Sequence, residues 1–363
     1  MGSHEKKGKP IIKILVILVI IAIIAVACFL AYKFLFKHDD NNKNNDETVA
    51  AVATDVEDEN EVKEIVDIVD LNSTSRPFAI TVNNTPVAVK VQEGLNKAYL
   101  VYEIPTEGGT SRLLALFKDV DDVTVGTIRS ARHNFIDYAL ESNAIFVAYG
   151  WSHYAQDDLQ KSRAIDYIQG LFDTPFWRNN PEGLASEHTA YTSIAKLREN
   201  ATSKNYNLDS SSVENTILLN YNVSDVDLSS KDDSEIANSV TIPYGAGFKT
   251  EFKYDEGTKE YKRYENGAAN VDHATGEQFT AKNIIVQKIT YSTCSDGYYW
   301  DLNTTGSGNG YFITNGYAVP IKWSKSSRSA KTKYTYLDGT EIEVSDGRTY
   351  IEVQTTSQTL TIE

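Results

Sequence analysis

Cysteine is almost missing from this chain: its 363 residues hold only Cys28 and Cys294. Cys28 lies inside a long apolar run, so the rest of the chain has one thiol and no internal disulfide to staple it. A packed core must therefore hold the fold, and the length is ample for one. Positive charge is also scarce, with 35 Lys and Arg against 50 Asp and Glu, a net charge of −15. That balance excludes general nucleic-acid binding, and no nucleic-acid partner is expected. His133, His153, His188 and His273 show no metal-ligand spacing, so neither a metal nor another cofactor is expected. Ser152 and His153 are sequence neighbours that point apart on a helix and make no nucleophile and base pair. No spacing singles out a carboxylate pair either, and catalytic residues are not identified.

What is present first is hydrophobic length. From Ile14 to Tyr32 the chain is almost entirely Ile, Leu, Val, Ala and Phe, and Phe34-Leu35-Phe36 extends the stretch. At about 1.5 Å per residue such a helix spans roughly 30 Å, the hydrocarbon thickness of a bilayer. Lys6, Lys7, Lys9 and Lys13 precede it. The positive-inside rule then keeps residues 1–13 in the cytoplasm, makes residues 14–36 a membrane anchor and exports everything after it. The alternatives are a cleaved signal peptide or a lipoprotein signal, since Ile24-Ala25-Val26-Ala27-Cys28 fits a permissive lipobox with Cys28 as the lipidated residue. Continuation of the run past Cys28 to Phe36 favours an uncleaved helix.

Residues 38–75 carry twelve acids against Lys43 and Lys63 and no aromatic residue. Residues 37–75 are therefore expected to be a self-repelling tether, with a short helix from Glu61 to Leu71 bearing Val62, Ile65, Val66 and Val69 on one side. After Arg76-Pro77 short apolar strands alternate with helices. Strands are expected at Phe78–Val82, Tyr99–Ile104, Leu113–Phe117, Val123–Ile128 and Ala144–Ala148, and helices at Ala131–Glu141, Ser152–Lys161 and after a cap at Thr192 or Ser193. From about Val240 the pattern changes to Tyr- and Thr-rich alternating runs, among them Phe248–Tyr254, Glu260–Tyr264, Asn283–Ile289, Gly310–Thr314, Tyr317–Trp323, Lys333–Tyr336 and Tyr350–Gln354. Asn315-Gly316, Asp338-Gly339 and Asp346-Gly347 mark tight turns. The expected class is α+β: an α/β domain with a central sheet at 76–232, then a mainly antiparallel β domain at 238–363.

Two arginine-bearing segments stand out. Glu107-Gly108-Gly109-Thr110-Ser111-Arg112 leads into a strand, and Gly126-Thr127-Ile128-Arg129-Ser130-Ala131-Arg132 ends another and starts a helix. Guanidinium forks beside helix-start amides suit phosphate, pyrophosphate or carboxylate. An anion site of Arg112, Arg129 and Arg132 is expected, with Asn83, Asn84, Glu107, Trp151, Ser152 and His188 as further ligand-binding candidates. The plainer alternative is that the arginines pair with Glu103, Glu107 or Asp137 and tie the domain together. Trp151, Trp177, Tyr149 and Tyr191 form either an aromatic platform for sugars or core packing.

Arg76-Pro77-Phe78-Ala79-Ile80, Asn83-Asn84, Gly94-Leu95, the two arginine segments, Gly150-Trp151-Ser152, Phe176-Trp177-Arg178 and His188 with Tyr191-Thr192-Ser193 resemble, in order, the motifs of the YerB-like lipoprotein family. Tyr261 and Arg263, Asn283-Ile284-Ile285-Val286, Gly306-Ser307-Gly308, Trp323, Asp338-Gly339 and Gly347-Arg348-Thr349-Tyr350 continue the resemblance through the second half. It implies a two-domain, membrane-anchored envelope protein of a domain-of-unknown-function class, made mostly by Gram-positive bacteria. Two departures matter: the lipobox is blurred into a longer apolar span, and Tyr149 stands where the family has His before Gly-Trp-Ser.

A fainter resemblance is to the LytR-CpsA-Psr phosphotransferases, in which arginines grip a lipid-linked pyrophosphate. Arg112 and Arg129 or Arg132 would fill those places, but Leu113 and Ser130 stand where aspartates are expected. The reading is therefore an extracytoplasmic module that binds an anionic envelope glycan, a lipid headgroup, a wall fragment or a protein partner. A glycopolymer phosphotransferase and an envelope hydrolase are the alternatives.

Overall fold

The computed structural model describes residues 65–120, 122–213, 216–245 and 247–363. The expected anchor and tail lie outside these, and among the described residues no helix is long and apolar enough to cross a membrane. The described part is mostly β with few helices, a coarser α+β arrangement than an α/β domain followed by a β domain.

Among the described residues eleven strands form one mixed sheet that runs through both halves of the sequence. In spatial order ten of them are Glu235–Ile236, Tyr317–Lys325, Gly306–Thr314, Asn283–Ile289, Thr349–Thr355, Leu100–Thr106, Thr110–Phe117, Phe78–Asn83, Ile145–Ala148 and Tyr167–Gln169, and Lys333–Tyr336 flanks Tyr317–Lys325. The halves join where Leu100–Thr106 lies parallel to Thr349–Thr355, with Val101 beside Tyr350 and Glu103 beside Glu352. Both faces are buried, because successive side chains on a strand alternate and both sets are apolar. Thr110–Phe117 sends Leu114 and Leu116 into one core with Phe135, Ile136 and Ile351. Leu113 and Ala115 go into the other, with Ile194, Leu197, Phe252 and Tyr261.

A second sheet covers that other face, in the order Ala268–Ala269, Glu260–Glu265, Phe248–Asp255, Ser239–Gly245, Thr361–Ile362. Asn315 and Gly316, both at positive φ, turn Gly306–Thr314 into Tyr317–Lys325 as Asn-Gly signals require. Ser193 caps helix Ile194–Ser203, its side chain accepting from Lys196 N.

Three local expectations change. Residues 65–71 are bends and turns, not helix. Val66 and Val69 are buried on the core, and the amides of Asp67 and Ile68 donate to Asp346 at 2.7 and 3.0 Å, so tertiary contacts override the local helical pattern there. Ser152–Lys161 divides into a short α-helix at His153–Gln156 and a π turn at Asp157–Lys161. Val123–Ile128 keeps only Thr124–Gly126 as strand, paired outside the main sheet with Ala190–Ser193.

Between the two sheets lies a buried polar network. Glu103, Glu265 and Glu352 surround Arg263, whose Nη2 is 2.8 Å from Glu103 and 2.9 Å from Glu265. Thr250 bridges Glu103 and Glu265, and Tyr244 donates to Glu352 at 2.6 Å. Burial pushes the carboxyls of Glu265 and Glu352 well above the ordinary carboxylate range. The neutral forms are favoured there, which reduces the negative charge that the single guanidinium faces.

Candidate functional site

The backbone that carries the arginines is threaded between two strands of the main sheet. Asn83 N donates to Thr127 O, Arg129 N to Thr81 O and Tyr149 N to Arg129 O, which fixes residues 127–131 between Phe78–Asn83 and Ile145–Ala148. Arg112 faces Asn83 across the antiparallel pair. On the same face as Leu114, it reaches toward this segment and donates from Nη1 to Ser130 O. Gly108 and Gly109, at φ +80 and +72, form the turn that brings Glu107 back over the arginines, a conformation side chains rarely adopt.

The three guanidiniums are gathered there. The Glu107 side chain is only 8% exposed and receives Arg132 through Nε at 3.0 and 3.1 Å and also through Nη2; Arg112 Nη2 is 4.0 Å from the same carboxylate. Arg129 Nη2 lies 3.8 Å from Glu187, whose side chain is 53% exposed, and Nη1 donates to Glu187 O at 3.2 Å. Three positive charges thus have one buried carboxylate and one at the solvent edge. Of the five donors of Arg112, one hydrogen bond is made among the described residues. The buried Nε of Arg129 has no partner among them. Burial pushes the Arg112 guanidinium well below its ordinary value; the charge of Arg132 adds to this and Glu107 opposes it. Arg129 is lowered by burial and by Arg132, against Glu187.

His188 and Asn83 complete one edge, with 2.8 Å between Asn83 Nδ2 and His188 Nδ1. Burial, then the charge of Arg129, holds the imidazole below the usual histidine range. The opposite edge comes from the second half of the chain. Hairpin strands Tyr291–Thr293 and Trp300–Leu302 are pinned to helix His133–Leu140 by Asn134, which donates to Trp300 O at 2.7 Å and accepts from Leu302 N at 3.1 Å. This places the Tyr299 ring 4.9 Å from Arg132 Cζ and beside Tyr154, at 6.2 Å between ring centroids. Tyr299 and Glu187 were not legible as site residues: one lies in a bend far along the chain, the other in an exposed 3-10 turn at Ser186–His188.

Three of the expected site residues turn their side chains to other partners. Asn84 donates to Glu103 at 3.0 Å and to Ser111 at 2.9 Å, in the polar network on the opposite face of the sheet. Trp151 packs on Tyr167 and Phe172, with centroids at 6.4 and 5.6 Å. Ser152 is fully buried and accepts from Ala155 N at 3.2 Å as a helix cap. Of the carboxylates set as structural partners, Glu107 does pair with Arg132, whereas Glu103 pairs with Arg263 and Asp137 with Arg328.

Residues 67–207 match the family model described as Protein of unknown function (DUF3048) N-terminal domain, and residues 240–351 match that of the DUF3048 C-terminal domain. A Bacillus subtilis (strain 168) protein named "Putative lipoprotein YerB" is 32% identical over 284 residues, covering 77% of this chain and 81% of that one. The crystal structure of YerB protein from Bacillus subtilis superposes with a TM-score of 0.66 at 28% identity, over 79% of this chain and 94% of that one. None of these comparisons supports the fainter resemblance to LytR-CpsA-Psr enzymes. With both halves matched in order and a relative aligned over most of its length, the chain belongs to the YerB-like DUF3048 family.

Proposed function

We propose that this protein is a membrane-anchored extracytoplasmic module of the cell envelope that binds an anionic group through Arg112, Arg129 and Arg132. The observation that carries the reading is the charge imbalance. Three guanidiniums, two of them on side chains at most 10% exposed, have between them only the enclosed Glu107 carboxylate and the exposed Glu187. Desolvated charge without a partner is costly, and a phosphate or carboxylate at the open Arg129 edge would supply the missing negative charge. The apolar run at residues 14–36 and the lipoprotein name of the Bacillus relative support the location. Protease added to intact spheroplasts is expected to digest the folded module, and full protection until lysis would overturn that placement.

Phosphate, pyrophosphate and carboxylates at fixed ionic strength should raise the melting temperature of the parent protein. Arg129→Lys keeps the charge but loses the planar fork. The loss of a charge-assisted hydrogen bond, about 1.5–3 kcal/mol, should weaken pyrophosphate binding roughly tenfold or more. Equal stabilisation of the parent and the Lys variant, or none by any anion, would leave the arginines as structural ties.

A further inference from the structure

On the Tyr299 side of the arginine cluster lie two polar clefts. The first, about 440 Å³, is lined by His133, Tyr154, Asp157, Asp301, Asn303 and Thr305 among others. The second, about 600 Å³, is lined by Lys288, Asn303, Thr305, Ser307, Asn309 and Trp323 among others. Asn303 and Thr305 belong to both, so the two clefts share one rim. At the other end His133 follows Arg132 in sequence, and the Tyr154 ring lies 5.4 Å from His133 and 6.2 Å from the Tyr299 ring that Arg132 covers. One aromatic ring separates the guanidinium from the first cleft. Each volume is that of a small-molecule site, about 300–1,000 Å³, and the shared rim sets the two side by side.

The chemistry changes sharply from the arginines to these clefts. In the first cleft Arg328 is held by Asp137 and Asp158, each at 2.6 Å, while Asp157 pairs with Lys161 at 2.8 Å and Asp301 sits 3.4 Å from His133. Carboxylates there outnumber the arginine and repel a phosphate. They accept hydroxyl protons instead, while Asn303 and Thr305 offer both donors and acceptors. In the second cleft Gly306-Ser307-Gly308 keeps the floor low: a Cβ at Gly308 would meet Trp323 Nε1 at 2.5 Å and Lys288 O at 2.9 Å. Trp323 is fixed by its indole N–H donating to Lys288 O at 2.9 Å.

We infer that the ligand is a linear polyhydroxylated chain, a glycan, carrying its anionic group at one end only: the phosphate or carboxylate meets Arg112, Arg129 and Arg132, and successive sugar units run past Tyr299 through the two clefts. This deepens the anion-binding reading above and rests on it. A polymer charged at every repeat does not fit, because its second anion would enter the carboxylate-lined cleft.

The test is binding to the full-length protein in detergent, with malto- and chito-oligosaccharide 1-phosphates of one to four units, the unphosphorylated tetramers, inorganic phosphate and tripolyphosphate. In at least one series affinity should rise tenfold or more from one unit to four. Tripolyphosphate should gain no more than twofold over phosphate. Thr305→Trp, at an exposed position on the shared rim, should cut the tetramer phosphate to the level of the monomer phosphate and leave the monomer's Kd within twofold. Length-independent binding in both series, or a length gain that survives Thr305→Trp, overturns the glycan track while the anion site stands. Tighter binding of tripolyphosphate than of every glycosyl phosphate also overturns it. Failure of every phosphorylated probe, inorganic phosphate included, sinks the anion site and the track together.

Discussion

Arg263→Met should lower the stability of the folded module by about 3–5 kcal/mol, the cost of removing one partner from a buried ionic group. Arg263 is fully buried at the seam between the two sheets, and its guanidinium holds Glu103 and Glu265 and also donates to Asn270. Burial opposes its charge, but Glu103 and Glu265 raise its pKa above the ordinary arginine value. Without it the carboxyls face one another across the parallel register that sets Glu103 beside Glu352. Thermal unfolding should show a midpoint lowered by roughly 5–10 °C, at the low end of the scaling because the unit is large. A loss below about 1 kcal/mol would mean that the network relaxes around the gap.

Glu352→Gln is the matched control, because burial favours the neutral form of Glu352 in the fold. Its folded pKa is raised above the unfolded value of 4.5. As pH climbs past 4.5 the unfolded state loses a proton that the folded state keeps, and stability falls. The amide removes that term, so the variant should match the parent near pH 4–5 and exceed it progressively toward pH 8. A parent more stable than Glu352→Gln at pH 8 would show that the ionised form is the native one.

This seam was not legible in the sequence. The strands were, where apolar alternation or a β-branched run is long enough to declare itself: Asn283–Ile289 keeps its predicted limits and the Asn315-Gly316 hairpin forms where expected. Tyr167–Gln169 and Phe176–Arg178, at three residues each, are too short to show a period. The pairing of Leu100–Thr106 with Thr349–Thr355 joins segments about 250 residues apart, and nothing local in either one specifies its neighbour. The arginine segments were visible because glycine turns and strand ends are local signals. Their surroundings were not. Asn83 and Asn84 look equivalent as a pair, but successive residues leave an extended chain on opposite sides. Only Asn83 meets His188 beside the arginines, while Asn84 enters the carboxyl network with Ser111. Tyr299 reaches the arginines because the hairpin docks on the helix through Asn134 and Thr304, contacts across more than 160 residues.

Glu107→Gln should be the second severe substitution, with about 3–5 kcal/mol lost at low ionic strength, and unlike Arg263→Met it should be rescued by an added anion. Glu107 is the one buried carboxylate among three guanidiniums, receiving three hydrogen bonds from Arg132 and standing 4.0 Å from Arg112. Burial opposes its ionisation, yet Arg132 and Arg112 hold its pKa below the usual glutamate value. A depressed carboxylate contributes stability above its unfolded pKa, near 4.5, and loses that contribution as pH falls through the folded one. The gap between parent and variant should therefore be widest at neutral pH and close below about pH 4.5. Glutamine keeps the shape and can still accept a hydrogen bond, but it leaves the cluster with the exposed Glu187 as its nearest counter-charge. If the cluster is built to take an external anion, pyrophosphate at matched ionic strength should raise the melting temperature of Glu107→Gln by more than it raises the parent's, while chloride does little. A variant as stable as the parent would show that Glu107 is not compensating the arginines. A destabilised variant that pyrophosphate and chloride affect equally would show that the guanidiniums are closed to ligand, and the cluster would then be a structural tie between the Gly108-Gly109 turn and the helix that follows Arg132.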